Sequence, residues 1–235
     1  MPSLARRLVA EALGTFSFVF IGAAVVVVNG GFPNSGIGLL GIALAHAVAL
    51  SVMISATMAI SGGHLNPAVT IGLLVARRIE PLPAAAYIAT QLAAACVGAL
   101  VVQLLLPPGA VRAALLGVPV IASSITIGQA IAIEAVLTFF LMSAVFGTAV
   151  SPDAPRIAGF GIGLVLLFDI LVGGPLTGAA MNPARAFGPA LVSRQWLGHA
   201  TYWVGPILGA VVASLLWEYV LLPKTPPPRR RRTDG

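Results

Sequence analysis

Six long apolar stretches run through this chain, at about residues 8–28, 39–60, 84–106, 125–150, 156–173 and 199–222. Each approaches or exceeds the ~20 helical residues that cross a hydrocarbon core of ~30 Å. Within lipid every backbone N–H and C=O must be satisfied inside the protein, and a helix does this within one segment. Only 9% of the residues are charged, against ~25% in soluble domains. The expected fold class is therefore an all-α membrane protein. One transmembrane domain is expected over residues 1–222, followed by a disordered basic tail over 223–235. Arg6 and Arg7 precede the first stretch as they would in a signal peptide, but Glu11 lies within it and the run continues to Val28. That exceeds the usual ~7–15-residue signal core, so the segment is read as a retained first span.

Two shorter apolar stretches, 67–76 and 183–192, are half the length needed to span, about 15 Å of helix each. Both open on the same triplet, Asn66-Pro67-Ala68 and Asn182-Pro183-Ala184. Ser61-Gly62 and Thr177-Gly178 precede the copies, and Gly72 and Gly188 follow them. The repetition extends further. Ala10-Glu11-Ala12 with Thr15-Phe16 matches Ile133-Glu134-Ala135 with Thr138-Phe139, and Tyr87 matches Tyr202. Each half, about 8–106 and 125–222, thus holds three spans and one re-entrant half-helix. An odd number of spans forces the halves to lie in opposite orientations, giving an inverted repeat.

Basic residues set the orientation. Arg6, Arg7, Arg77, Arg78, Arg156, Lys224 and Arg229 to Arg232 fall on the side of the termini, and only Arg112 and Arg194 on the other. Both termini are expected to be cytoplasmic. The net charge of +6 is accounted for by this placement rather than by nucleic acid. The lone Cys96 excludes an internal disulfide or a cysteine metal cluster. No nucleophile–base pair accompanies the breaks, so neither catalysis, a cofactor nor a bound metal is expected.

Proline costs nothing at the first helical position, and asparagine before it can cap the helix. Each half-helix therefore begins at its Asn, and the inversion brings both beginnings to the midplane. Two N-termini, each carrying about half a positive charge, face one passage. A narrow passage with this field opposes cations. Stripping an anion of water there is costly, and two Asn amides can orient a water oxygen so that it leaves the proton-conducting file.

The segments SGGHLNPAVTIG and GGPLTGAAMNPARAFGPALV resemble the two signature regions of the major intrinsic protein family, the aquaporins. The resemblance runs from Glu11 to about Leu222. It implies six spans, two half-helices, one pore per subunit and a homotetramer. It also implies a selectivity filter of His46 on the second span, Ile170 on the fifth, Ala179 before the second Asn, and Arg185. This set resembles the filter of plant tonoplast intrinsic proteins and departs from the commoner pairing of an aromatic with His. Arg185 is also the physical choice, because a charge at membrane depth costs ~2.5–3.5 kcal/mol or more unless it faces water or partners.

The expected function is passive conduction of water, with ammonia, urea and hydrogen peroxide as further solutes, and exclusion of ions and protons. The alternatives are a secondary transporter, which would also use broken helices, and a glycerol-type facilitator. Against the latter, Ala186 and Ala190 stand where glycerol-conducting members carry Asp and a basic residue. Tyr202-Trp203 resembles the aromatic pair of the water-conducting branch.

Other expectations concern supporting residues. Glu11 and Glu134 should accept hydrogen bonds from the non-helical loops. His64 should line the cytoplasmic pore mouth or gate it. Asp169 is given a structural or interface role, and Gly98 and Gly209 close helix packing. Membrane lipid is the expected surrounding partner, and the cell membrane the expected location.

Overall fold

The protein is described here by a computed structural model covering residues 2–223. The expected tail therefore lies outside the described residues, except for Pro223. Six helices cross: α1 (Leu4–Gly31), α2 (Gly38–Ser61), α4 (Pro81–Leu105), α6 (Ile127–Val145), α7 (Phe160–Thr177) and α9 (Thr201–Leu216). The half-helices are α3 (Pro67–Val75) and α8 (Pro183–Ser193), and a short α5 (Pro108–Ala113) lies in the segment between the two halves. Helices α6 and α9 each widen into a final π turn, Phe146–Val150 and Trp217–Leu221, and the rings of Phe146 and Trp217 stack there at 6.4 Å.

Local chemistry accounts for several boundaries. Thr126 and Gln129 form a capping box that starts α6. Ser3 caps α1 by accepting the Arg6 N–H at 3.4 Å. The fifth span differs from its expected range of 156–173. Gly173-Gly174-Pro175 reads as a stop, yet the helix continues to Thr177 with Pro175 inside its last turn. At the other end Ser151-Pro152-Asp153 and then Ala158-Gly159 make turns, which delays the start to Phe160.

Side-chain bonds place the ends of the elements. Arg7 Nε donates to the Tyr87 hydroxyl at 2.7 Å, joining the starts of α1 and α4. Arg78, just after α3, makes a two-pronged pair with Glu218 beyond α9, at 2.8 and 3.0 Å. The start of α1 and the end of α9 thus share one face, which also carries Arg6 and Arg77. The two halves mirror each other in packing. α1 lies on α2 and α4, α6 lies on α7 and α9, and α2 meets α7 across the pseudo-axis. Each half-helix crosses over, with α3 against α9 and α8 against α4. Gly98 and Gly209 do sit at close helix contacts. A Cβ at Gly98 would lie 3.0 Å from the Phe16 carbonyl, and one at Gly209 would overlap that of Ala135.

Candidate functional site

The site is built from two matching breaks. Helix α2 stops at Gly62 (φ 91°) and α7 at Gly178 (φ 82°), left-handed caps that a Cβ would strain. Left-handed backbone then recurs at Gly63 and Leu65 (φ 62° and 50°), and at Ala179 and Met181 (φ 46° and 51°). For a residue with a Cβ this costs about 1–2 kcal/mol, so something must hold the loops.

Two buried carboxylates do so. Glu11 accepts from Ser61 Oγ at 2.7 Å, from the backbone N–H of His64 and Leu65 at 2.9 and 2.7 Å, and from Gln91 Nε2 at 2.8 Å. Glu134 accepts from Thr177 Oγ1 at 2.7 Å and from the N–H of Ala180 and Met181 at 2.9 and 2.7 Å. Tyr87 and Tyr202 close each loop from behind, donating to the carbonyls of Ser61 and Thr177 at 2.8 Å. The Ser/Thr-Gly flanks quoted from the sequence thus serve one purpose in both halves.

The half-helices start where their Asn residues stand. Asn66 Oδ1 accepts the Ala68 N–H at 2.8 Å. Asn182 Oδ1 accepts those of Ala184 and Arg185 at 3.0 and 3.3 Å. The amide nitrogens cross between halves. Asn66 Nδ2 donates to the Met181 carbonyl and Asn182 Nδ2 to the Leu65 carbonyl, both at 2.9 Å. An amide has two N–H donors, so one on each Asn is left over for a third party.

Two cavities meet this frame. The inner one, about 20 Å³, is lined by Asn66, Asn182 and His64 together with apolar Phe18, Ile54 and Leu166. A volume of this order holds one or two waters. The outer one, about 340 Å³, is lined by His46, Ile170 and Arg185. Ala179 does not line it. Its neighbour Gly178 does, and the Ala179 methyl lies toward Gly173 of α7.

Arg185 is buried, and its Nη1 donates to the Gly117 carbonyl at 2.6 Å. Gly117 closes a short turn after α5 at φ 73°, where a Cβ would press to 2.9 Å from Ala23. His46 Nδ1 lies 2.9 Å from the Ile42 carbonyl. A carbonyl only accepts, so Nδ1 carries the proton. Gly22 leaves room for the other ring nitrogen, since a Cβ there would come within 2.6 Å of Nε2. His64 is oriented differently. Thr70 Oγ1 donates to the Asn66 carbonyl and receives Gln91 Nε2, so its contact with His64 Nδ1 at 3.2 Å assigns the hydrogen to the ring.

Sequence reading did not single out Gly117, Gly22, Gln91 or Thr70. Asp169 is buried inside the bundle, which rules out an interface role. Neither of its oxygens has a hydrogen-bond partner among the described residues, and nothing in the structure explains it. Among the described residues there is no group of three or more His, Cys, Asp or Glu arranged to hold a metal.

The family model for the major intrinsic proteins matches residues 1–217. The chain belongs to the major intrinsic protein family. Among its fellow major intrinsic proteins, it is 42% identical to probable aquaporin TIP-type alpha of Phaseolus vulgaris, across 98% of this chain and 91% of that one. It is 41% identical to aquaporin TIP4-4 of Zea mays, across 91% and 85%. Aquaporin-4 of Mus musculus is 36% identical, across 94% of this chain and 69% of its own. In three dimensions this major intrinsic protein resembles the aquaglyceroporin from Plasmodium falciparum, with a TM-score of 0.81, 26% identity, and coverage of 93% and 97%.

Proposed function

We propose that the chain is a passive channel for water, with its narrowest polar station at Asn66 and Asn182 and an outer filter centred on Arg185. One observation carries this reading. Two half-helix N-termini meet at a cavity of about 20 Å³, each presenting an Asn amide with one N–H uncommitted. A neutral solute with an acceptor oxygen gains those bonds, whereas a cation meets two positive helix ends. TIP-type relatives favour the water-channel branch.

His46 and Ile170 on the outer wall put an aliphatic group in place of the aromatic ring of the commoner pairing, which widens the opening. Ammonia, urea and hydrogen peroxide are therefore proposed as additional solutes. Assembly as a homotetramer in lipid and cytoplasmic termini belong to the same proposal, as does the absence of catalysis. The chain is a multi-pass membrane protein, but residence in the plasma membrane gains no support from relatives of the TIP type.

Stopped-flow light scattering of proteoliposomes tests the proposal. Vesicles carrying the protein should shrink faster than empty ones in an osmotic step. Equal rates would overturn it. Flux that saturates or follows an ion gradient would replace it with a transporter.

A further inference from the structure

Away from the passage, a cavity of about 600 Å³ opens at the face where α1 starts and α9 ends, and Arg7, Arg77 and Arg78 line it. The three arginines are not equivalent. Arg78 spends Nε and Nη2 on Glu218. Arg7 gives Nε to Tyr87 and lies over its ring at 5.1 Å, but its terminal nitrogens donate to no described residue. Arg77 is exposed and its side chain has no hydrogen-bond partner among the described residues. Two guanidinium forks are thus held around one cavity with N–H groups to spare. Glu80 shares the lining. With Glu218 also counted, the cluster keeps a single positive charge, which one phosphodiester would balance.

The rest of the wall is apolar: Leu74, Ile79, Pro81 and Pro83. Next to it Leu82, 76% exposed, stands at the start of α4. A water-soluble anion has no use for such a wall, whereas a lipid needs both parts. Guanidinium forks match phosphate oxygens in pairs, and basic pockets beside transmembrane helices recruit phosphorylated headgroups.

We propose that this cavity binds the headgroup phosphate of an anionic phospholipid. Arg77 and Arg7 hold the phosphate oxygens, and the Leu74–Ile79–Pro81–Pro83 wall takes the acyl chains where they leave the glycerol. On the proposed orientation the lipid comes from the cytoplasmic leaflet.

Native mass spectrometry of the delipidated full chain, titrated with phosphatidylglycerol, phosphatidylcholine or inorganic phosphate, tests this. Phosphatidylglycerol should be retained in preference to phosphatidylcholine. Arg77→Gln should weaken its retention about fivefold, the effect of one arginine at a membrane surface. Glu218→Gln should strengthen it by releasing Arg78. Arg112→Gln, on the opposite face, should change nothing. Equal retention by wild type and Arg77→Gln would overturn the proposal, as would an equal loss in Arg112→Gln or equal binding of phosphatidylcholine. Inorganic phosphate bound without lipid would overturn the lipid assignment.

Discussion

Replacing Glu134 with Gln tests how the second re-entrant loop is held. The carboxylate accepts three donors: Thr177 Oγ1 and Ala180 N–H on one oxygen, and Met181 N–H on the other. A Gln amide keeps only one acceptor oxygen. With its NH₂ toward Met181, two donors face each other. With the amide turned over, the Thr177 hydroxyl can rotate to accept, but the Ala180 N–H is opposed. Either way one buried backbone N–H loses its acceptor, at about 1–3 kcal/mol. The surviving bonds also lose their charge assistance, about 1 kcal/mol more. A destabilisation of roughly 2–4 kcal/mol is expected. It acts on a loop already holding left-handed backbone at Ala179 and Met181.

Glu11→Gln should cost a similar amount, because either the His64 or the Leu65 N–H is opposed in the same way. Turning the Gln91 amide to accept from the new NH₂ gives no relief, since it breaks the Gln91 Nε2 bond to Thr70. The midpoint of thermal unfolding in detergent and the osmotic water permeability of proteoliposomes should both fall below wild type in each variant. Wild-type stability and permeability in Glu134→Gln would refute the reasoning. Should that variant fail to insert, Glu11→Gln against wild type still decides it.

Arg185→Val should admit more urea and ammonia, and some cation leak, in proteoliposome flux assays, because it removes the fixed charge held on the Gly117 carbonyl. Gly22→Ala should lower water permeability severalfold while the protein stays monodisperse, because the added methyl displaces the His46 ring into the outer cavity. Mercury should inhibit weakly, since no thiol lines the outer cavity. Block abolished by Cys96→Ser would instead place the action on α4.

A further expectation concerns pH. Burial pushes His199 below the usual imidazole value, and its Nε2 accepts the Trp203 indole N–H at 3.1 Å. The folded state therefore binds that proton less readily than the unfolded chain. Its stabilising contribution is present above about pH 6.5 and lost as pH falls below it. Unfolding midpoints measured across that range should decline on acidification, and His199→Phe should flatten the decline.

The spans were legible because length and apolarity alone determine them, and the half-helices because Asn-Pro marks a capped start. Apolarity ended the fifth span too early, at 173 rather than Thr177. Gly173-Gly174-Pro175 reads as a terminator, but a proline in a last turn removes only one hydrogen bond, and Gly178 supplies the true cap. The loop-holding carboxylates were legible too, since a charge is too costly to bury without donors and the repeat paired Glu11 with Glu134. The acceptor for Arg185 was not. It is a main-chain carbonyl from the segment between the halves, and a carbonyl leaves no mark in residue type. Gly117 could have been suspected only as a glycine in a turn. The difference between the halves was hidden similarly. Gln91 and Thr70 orient His64 in the first half, and neither type stands out in an apolar helix.

The crossed Asn bonds also impose an order in time. Asn66 and Met181 are 115 residues apart, so the ribosome delivers one long before the other. During that interval the Asn66 amide and the Leu65 carbonyl lack their partners, and α3 has no α9 to lie against. The first three spans can insert, but their re-entrant loop must stay wet until α7 and α8 arrive. The passage therefore comes into being only once the second half has been made. A chain stopped after its first half would have every residue of one signature and no channel.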